Sequence, residues 1–163
     1  MARWRPDAAH RLTLAALELF EEQGYERTSV QDITERAGLT KSSFFRHFPD
    51  KREVLFGGEA MTAALVDGIA SAPGDDPWDA LSYAFARLGA SFMTAERHDF
   101  LARRAAVITQ TPELREREAL KELRIVTATV DALKGRKVPD PSARVLTELA
   151  AVAFTIAYER WLE

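Results

Sequence analysis

The sequence predicts an all-helical chain on three observations. Its seven prolines (Pro6, Pro49, Pro73, Pro77, Pro112, Pro139 and Pro141) fall between apolar-periodic stretches and never inside one. A proline within a helix costs about 3 kcal/mol, so this placement marks boundaries. Apolar residues recur at helical spacing, as in Leu12, Ala15, Ala16, Leu19 and Phe20, the stripe of a helix with one buried face. No β-branched run alternates at period two over a useful length.

The elements follow in order. A first helix is expected over residues 6–23, closed by Gly24. A short second helix is expected over 30–37, with two overlapping capping signals at its start, Thr28-x-x-Gln31 and Ser29-x-x-Asp32, and Gly38 at its end. Thr40 opens a third, over 41–47, which Pro49 ends. A fourth is expected from Lys51 to about Ala70, and 71–77, rich in Pro, Gly and Asp, is a connector. Longer helices are expected over 78–94, 97–108, 112–133 and 142–162, with Glu113 and Arg117 forming an i,i+4 ion pair on a solvated face of the third.

Composition excludes several classes. At 163 residues, 47% hydrophobic and 29% charged, the chain fits a single domain, or a small domain sharing its core with a larger one. It has no cysteine, so disulfide scaffolds, thiolate metal sites and cysteine nucleophiles are excluded. His10, His47 and His98 are dispersed without metal-ligand spacing, and there is no Gly-x-Ser-x-Gly elbow or phosphate-binding glycine loop. No catalytic residue, metal site or cofactor is expected, and the chain does not read as an enzyme. Its longest nearly unbroken apolar run, 149–158, is far short of the ~20 residues of a membrane span. No apolar stretch follows Arg3 and Arg5, so a cytoplasmic location is expected.

The net charge of −3 conceals a local surplus: residues 27–52 carry six basic and three acidic side chains. Such a surplus suits either a polyanion partner or a solvated surface. Within it, two short helices flank the turn Gly38-Leu39-Thr40, the layout of a helix-turn-helix. Ile33, Ala37, Leu39, Phe44 and Phe48 would form the small core between them, and Gly38 permits a left-handed turn. Thr40 would cap the third helix and leave amides outward for a phosphate. Lys41, Ser42, Ser43, Arg46 and His47 crowd its open face, with short side chains at its start that admit it to a major groove. By spacing alone, a structural hairpin with a solvated polar face fits equally well.

The segment 38–51, Gly-Leu-Thr-Lys-Ser-Ser-Phe-Phe-Arg-His-Phe-Pro-Asp-Lys, resembles the signature of the tetracycline-repressor (TetR) family. Residues 15–25 and 28–33 match the same family in order and spacing, so the resemblance covers about residues 8–56. It implies a homodimeric transcriptional regulator, usually a repressor, with an N-terminal three-helix DNA-binding domain (1–50) and a C-terminal helical bundle (51–163) that binds a small effector and dimerises. The helix starting at Lys51 would connect the two. Carried over position by position, Thr28 and Ser29 would meet phosphate, Thr40, Lys41, Ser42 and Ser43 would open the recognition helix, and Phe44 would pack inward. Phe45, Arg46 and His47 would face the duplex, and Lys51 would meet phosphate. The family usually has tyrosine where Phe45 stands. A phenylalanine lacks the hydroxyl and would instead stack on a sugar or touch a thymine methyl. Arg3 and Arg5 suit either an arm reaching the duplex or a disordered terminus.

Beyond residue 57 the signals are broader. Leu88, Leu101, Val107 and Val130 would lie in the interior of the bundle. Trp78, Phe85, Phe92, Phe100, Arg104, Ile108, Val126, Phe154 and Tyr158 are the candidates to border the effector cavity that the resemblance implies, plain core being the other reading for most of them. Arg104 would receive a carboxylate or phosphate, and Arg103-Arg104 followed by Thr111-Pro-Glu-Leu weakly resembles acyl-CoA-type ligand domains of the family. The last helix is apolar nearly all round, which requires burial of two faces, one of them in a two-fold interface. The resemblance implies two such helices per subunit in a four-helix dimer bundle. The chain has one before Glu163, so a ninth helix is expected to be missing or the interface reduced. Double-stranded DNA, a small-molecule effector and a second copy are the expected partners. The alternative is a helical interaction module that has lost DNA binding.

Overall fold

The computed structural model describes residues 8–163, and every regular element among them is helical. The elements are α1 (Ala8–Gln23), α2 (Val30–Ala37), α3 (Lys41–His47), a 3-10 turn (Arg52–Leu55), α4 (Ala60–Ser71), α5 (Pro77–Phe92), α6 (Ala95–Gln110), α7 (Pro112–Gly135) and α8 (Asp140–Leu162). Pro6 and the arginines at positions 3 and 5 lie outside the described residues. Pro77 and Pro112 occupy first helical positions, where the missing N–H costs nothing.

The helix expected from Lys51 to Ala70 is interrupted. The Asp50 carboxylate accepts from the backbone N–H groups of Arg52 (2.8 Å) and Glu53 (3.2 Å) and starts only a 3-10 turn. Gly57 and Gly58 then adopt left-handed φ values of 64° and 66°, which no right-handed helix can continue through. The regular helix resumes at Ala60.

The chain forms two compact units. The first comprises the described part of Met1–Gly58 together with Arg103–Glu118, and the second comprises Glu59–Ala102 with Ala119–Glu163. In the first, Leu12, Ala16 and Leu17 of α1 are buried with Ile33 of α2, Phe44 of α3 and Val54. The ion pair expected between Glu113 and Arg117 is replaced by a long-range one. Arg117 donates to both Glu53 carboxylate oxygens, one at 2.7 Å, and its guanidinium lies over the Phe56 ring. Half-burial favours this pair over an exposed i,i+4 pair, which contributes only about 0.3–0.5 kcal/mol.

The core of the second unit consists of Leu65 and Ile69 of α4, Leu81, Ala84 and Leu88 of α5, Leu133 of α7, and Ala143 and Ala150 of α8. The helices approach closely at Gly68, where an added Cβ would lie 2.9 Å from the Ala84 Cβ and 3.0 Å from its Cα. The α4–α5 contact therefore depends on a missing side chain. Gly68→Val is expected to destabilise the protein by about 1–3 kcal/mol through overpacking, more than the few tenths of a kcal/mol it gains in helix propensity. Urea unfolding measures this, and an unchanged midpoint would show that the helices can part freely.

Candidate nucleic-acid interface

The helix-turn-helix is built from capped ends inward. Of the two capping boxes readable at α2, the chain forms the second. Ser29 Oγ accepts from the Asp32 N–H (3.1 Å), and the Asp32 carboxylate accepts from both the Ser29 N–H and its hydroxyl (2.8 Å each). These donors hold the Asp32 carboxyl below its ordinary value, the backbone N–H contributing most. At the other end Gly38, at φ 63°, closes α2 with its N–H on the carbonyls of Glu35 and Thr34, and Leu39 N–H follows onto Thr34 O at 2.8 Å. Arg11 of α1 donates to Ala37 O at the same helix end. Thr40 then caps α3 by accepting from the Ser43 N–H at 3.1 Å.

Within α3, Phe44 is 0% exposed and Phe48 is buried beside it, their ring centroids 5.5 Å apart. That leaves Lys41, Ser42, Phe45, Arg46 and His47 on the open side, with Phe45 55% exposed. Thr40 is exposed and Ser43 half-buried, their hydroxyls bonded to each other at 3.2 Å. Ser29 is exposed at the start of α2.

Two residues expected at phosphate are occupied inside the protein. Thr28 is 1% exposed, and its hydroxyl donates to Gly24 O at 2.8 Å and accepts from Gln23. It braces the α1–α2 turn instead. Lys51 is half-buried, and its ammonium donates to Tyr25 O (2.8 Å) and Thr28 O (3.0 Å) while lying 3.9 Å from the centre of the Tyr25 ring.

The same holds for most of the local positive charge. Arg11 binds Ala37 O, Arg27 binds Gln23 O, Arg36 pairs with Glu18 and Glu22, and Arg52 pairs with Asp50. Among described residues 8–58, Lys41 and Arg46 are the two cations without a hydrogen-bond or ion-pair partner, and both stand on the open face of α3. A count of basic residues finds the segment but cannot tell these two from the five that are engaged.

The residues expected around an effector are only partly brought together. Trp78, Phe85 and Phe154 meet at a groove of about 310 Å³ in the second unit, between α5 and α8. Its other walls are Leu81, Ser82, Ala86, Gly89, Met93, Ala150, Ala153 and Ala157. Phe92, Phe100, Val126 and Tyr158 are half-buried outside this groove, Phe92 under the Arg97 guanidinium and Tyr158 stacked on Trp161. Arg104 and Ile108 belong to the first unit. Arg104 is 7% exposed and fully engaged. It donates to Leu55 O (2.7 Å) and to the Glu118 carboxylate (2.8 Å) and lies over the Phe56 ring. It serves as an internal strut, not a ligand anchor. Gly89 of α5 and the alanines of α8 are walls that the sequence reading did not assign, although Ala150, Ala153 and Ala157 share one face of their helix.

Among the described residues no group of three or more His, Asp or Glu could hold a metal ion, and no helix is long and apolar enough to cross a membrane. Residues 12–57, which hold the whole capped constellation, match the family model described as bacterial regulatory proteins, tetR family. This segment is a TetR-type N-terminal regulatory domain. It is 43% identical over 72 residues to the HTH-type transcriptional regulator TcmR of Streptomyces glaucescens, a match covering 43% of this chain and 32% of TcmR. The chain thus spans about a third of that relative's length. It is 25% identical to the putative mycofactocin biosynthesis transcriptional regulator MftR of Mycobacterium tuberculosis, over 99% of this chain and 83% of MftR. A solved TetR-family regulator, PfmR of Thermus thermophilus, aligns at 25% identity and a TM-score of 0.41, over 93% of this chain and 82% of that one. The two sequence relatives are transcriptional regulators by name, not enzymes.

The capping box of this TetR-family domain has a pH signature. Because the Asp32 carboxyl titrates below its ordinary 3.8 when folded, its contribution is complete above that value and is lost as pH falls through the lowered one. The Ser29 amide resonance is expected to titrate with a midpoint below 3.8, and Asp32→Asn to abolish that titration. A midpoint at or above 3.8 would mean that the box does not form in solution.

Proposed function

We propose that this chain is a TetR-family transcriptional repressor that binds a two-fold-symmetric operator as a homodimer and is released by a small apolar effector. The observation carrying this reading is the open face of α3, where Lys41 and Arg46 remain unpaired beside Ser42, Phe45 and His47. Short polar residues at the helix start suit base edges, the two cations suit phosphate or guanine, and the Phe45 ring suits a thymine methyl.

The dimer is supported by α8. Val145, Leu149, Val152 and Ile156 are all exposed and recur at i, i+4, i+7 and i+11, so they line one side of the helix. An exposed apolar stripe of this length calls for a partner, and a second copy presents the same stripe about a two-fold axis. Such a dimer would offer two copies of α3 to major grooves about 34 Å apart. Effector binding is supported by the α5–α8 groove, whose lining holds no charged side chain. An uncharged, largely apolar molecule fits it. With Arg104 engaged by Glu118 and Leu55, nothing in that lining answers the phosphates of an acyl-CoA. The first unit would read DNA and the second would dimerise and sense, a division of labour suited to the cytoplasm, beside the chromosome.

Selection from a random duplex library, followed by gel-shift titration, tests the reading. It predicts enrichment of a two-fold-symmetric sequence with half-sites about one helical turn apart. Lys41→Ala and Arg46→Ala should each weaken binding. Together they should flatten the dependence of log affinity on log salt by about three to four units per dimer, at roughly 0.9 unit per phosphate. Failure to enrich any duplex would favour an interaction module without DNA binding, and an unaltered salt dependence would remove these two cations from the interface.

A further inference from the structure

Lys51 lies immediately after the recognition helix and its C-cap Phe48, where a surface cation would be free to meet a phosphate. Its geometry is that of an internal tie. The ammonium has three N–H groups. Two are directed to Tyr25 O and Thr28 O, and the ring of Tyr25, itself buried, lies 3.9 Å from the charge. These two carbonyls frame the α1–α2 turn, which is closed by Thr28 N–H on Tyr25 O at 3.2 Å. Ser29, the next residue, is the N-cap of α2. One side chain thus joins the end of the α3 segment to the start of α2. Arg11 makes the corresponding tie at the far end of α2, through Ala37 O.

We propose that Lys51 is a positioning residue that sets the presentation of the α2–turn–α3 unit, and that it is not a phosphate contact. The inference rests on the operator-binding reading above. The site is shaped for an ammonium. A compact point charge serves two carbonyls and a ring face here from the end of an unbranched stem, whereas a guanidinium at the same position is bulkier and directs its donors in a planar fork, so it would have to shift the turn to keep both bonds. Charge-assisted hydrogen bonds of this kind are individually strong enough that loss of both should be felt in the position of α3.

The test uses the full chain and the duplex recovered by selection, with Lys51→Met and Lys51→Arg compared over a range of salt concentrations. A positioning role predicts that both variants lose about tenfold or more in affinity. It also predicts that Lys51→Met leaves the slope of log affinity against log salt unchanged. A phosphate contact predicts that Lys51→Met lowers that slope by about two units per dimer and that Lys51→Arg, which keeps the charge, binds like the parent. Either of those results overturns the proposal, as does unchanged affinity in both variants. Amide exchange in the free protein provides a readout independent of DNA. The tie predicts faster exchange at Thr28 and through α2 in Lys51→Met than in the parent, and equal exchange rates would overturn it. If the parent binds no duplex, the functional reading fails while the exchange comparison still decides the role of Lys51.

Discussion

The open face of α3 depends on the burial of Phe44. A seven-residue helix has barely two turns and too few internal hydrogen bonds to hold itself. It persists because one aromatic ring, with Phe48 one turn further on, is buried against the first unit's core. That ring also fixes the rotation of α3 about its own axis. Positions 42, 45 and 46 point away from the Phe44 direction and are left on the open side. Replacing this anchor by a smaller side chain would leave α3 free to roll and would blur the outward face, even if every outward residue were retained.

Charge is used sparingly on that face. The acidic chain places six cations in residues 27–52, yet most of them hold the domain together. Arg36 fastens α2 to α1 through Glu18 and Glu22, Arg52 pairs with Asp50, and Lys51 caps backbone carbonyls. Exposed pairs of this kind contribute little individually, but they remove charge from the surface available to a polyanion. In the second unit the economy is hydrophobic, with α8 presenting one apolar side to its own core and another outward.

Local features were legible in the sequence and long-range ones were not. The bounds of α2 and α3, the Ser29–Asp32 box and the left-handed turn at Gly38 follow from residues within four positions of one another. The break at Gly57–Gly58 was missed because two glycines inside an apolar-periodic stretch also read as tolerated helix positions. Arg104 stands out in sequence on an otherwise apolar helix and Arg117 reads there as half of an exposed i,i+4 pair, but their partners Glu118, Leu55 and Glu53 depend on how segments distant in sequence pack. Thr28 and Lys51 resemble surface contacts in sequence because nothing in one dimension shows that the α1–α2 turn folds back over them. The groove was half legible. Trp78, Phe85 and Phe154 stand out as aromatics, whereas the alanines opposite them become walls only once α5 and α8 are paired.

The account is tested most directly by following the amide resonances of the isotope-labelled protein as the selected duplex is added. It predicts that the largest shifts cluster from Thr40 to His47, with a second, smaller group around Ser29, and that core residues such as Leu12 and Ile33 stay still. Shifts concentrated elsewhere while α3 remains unmoved would contradict the claim that this helix presents its open face to DNA.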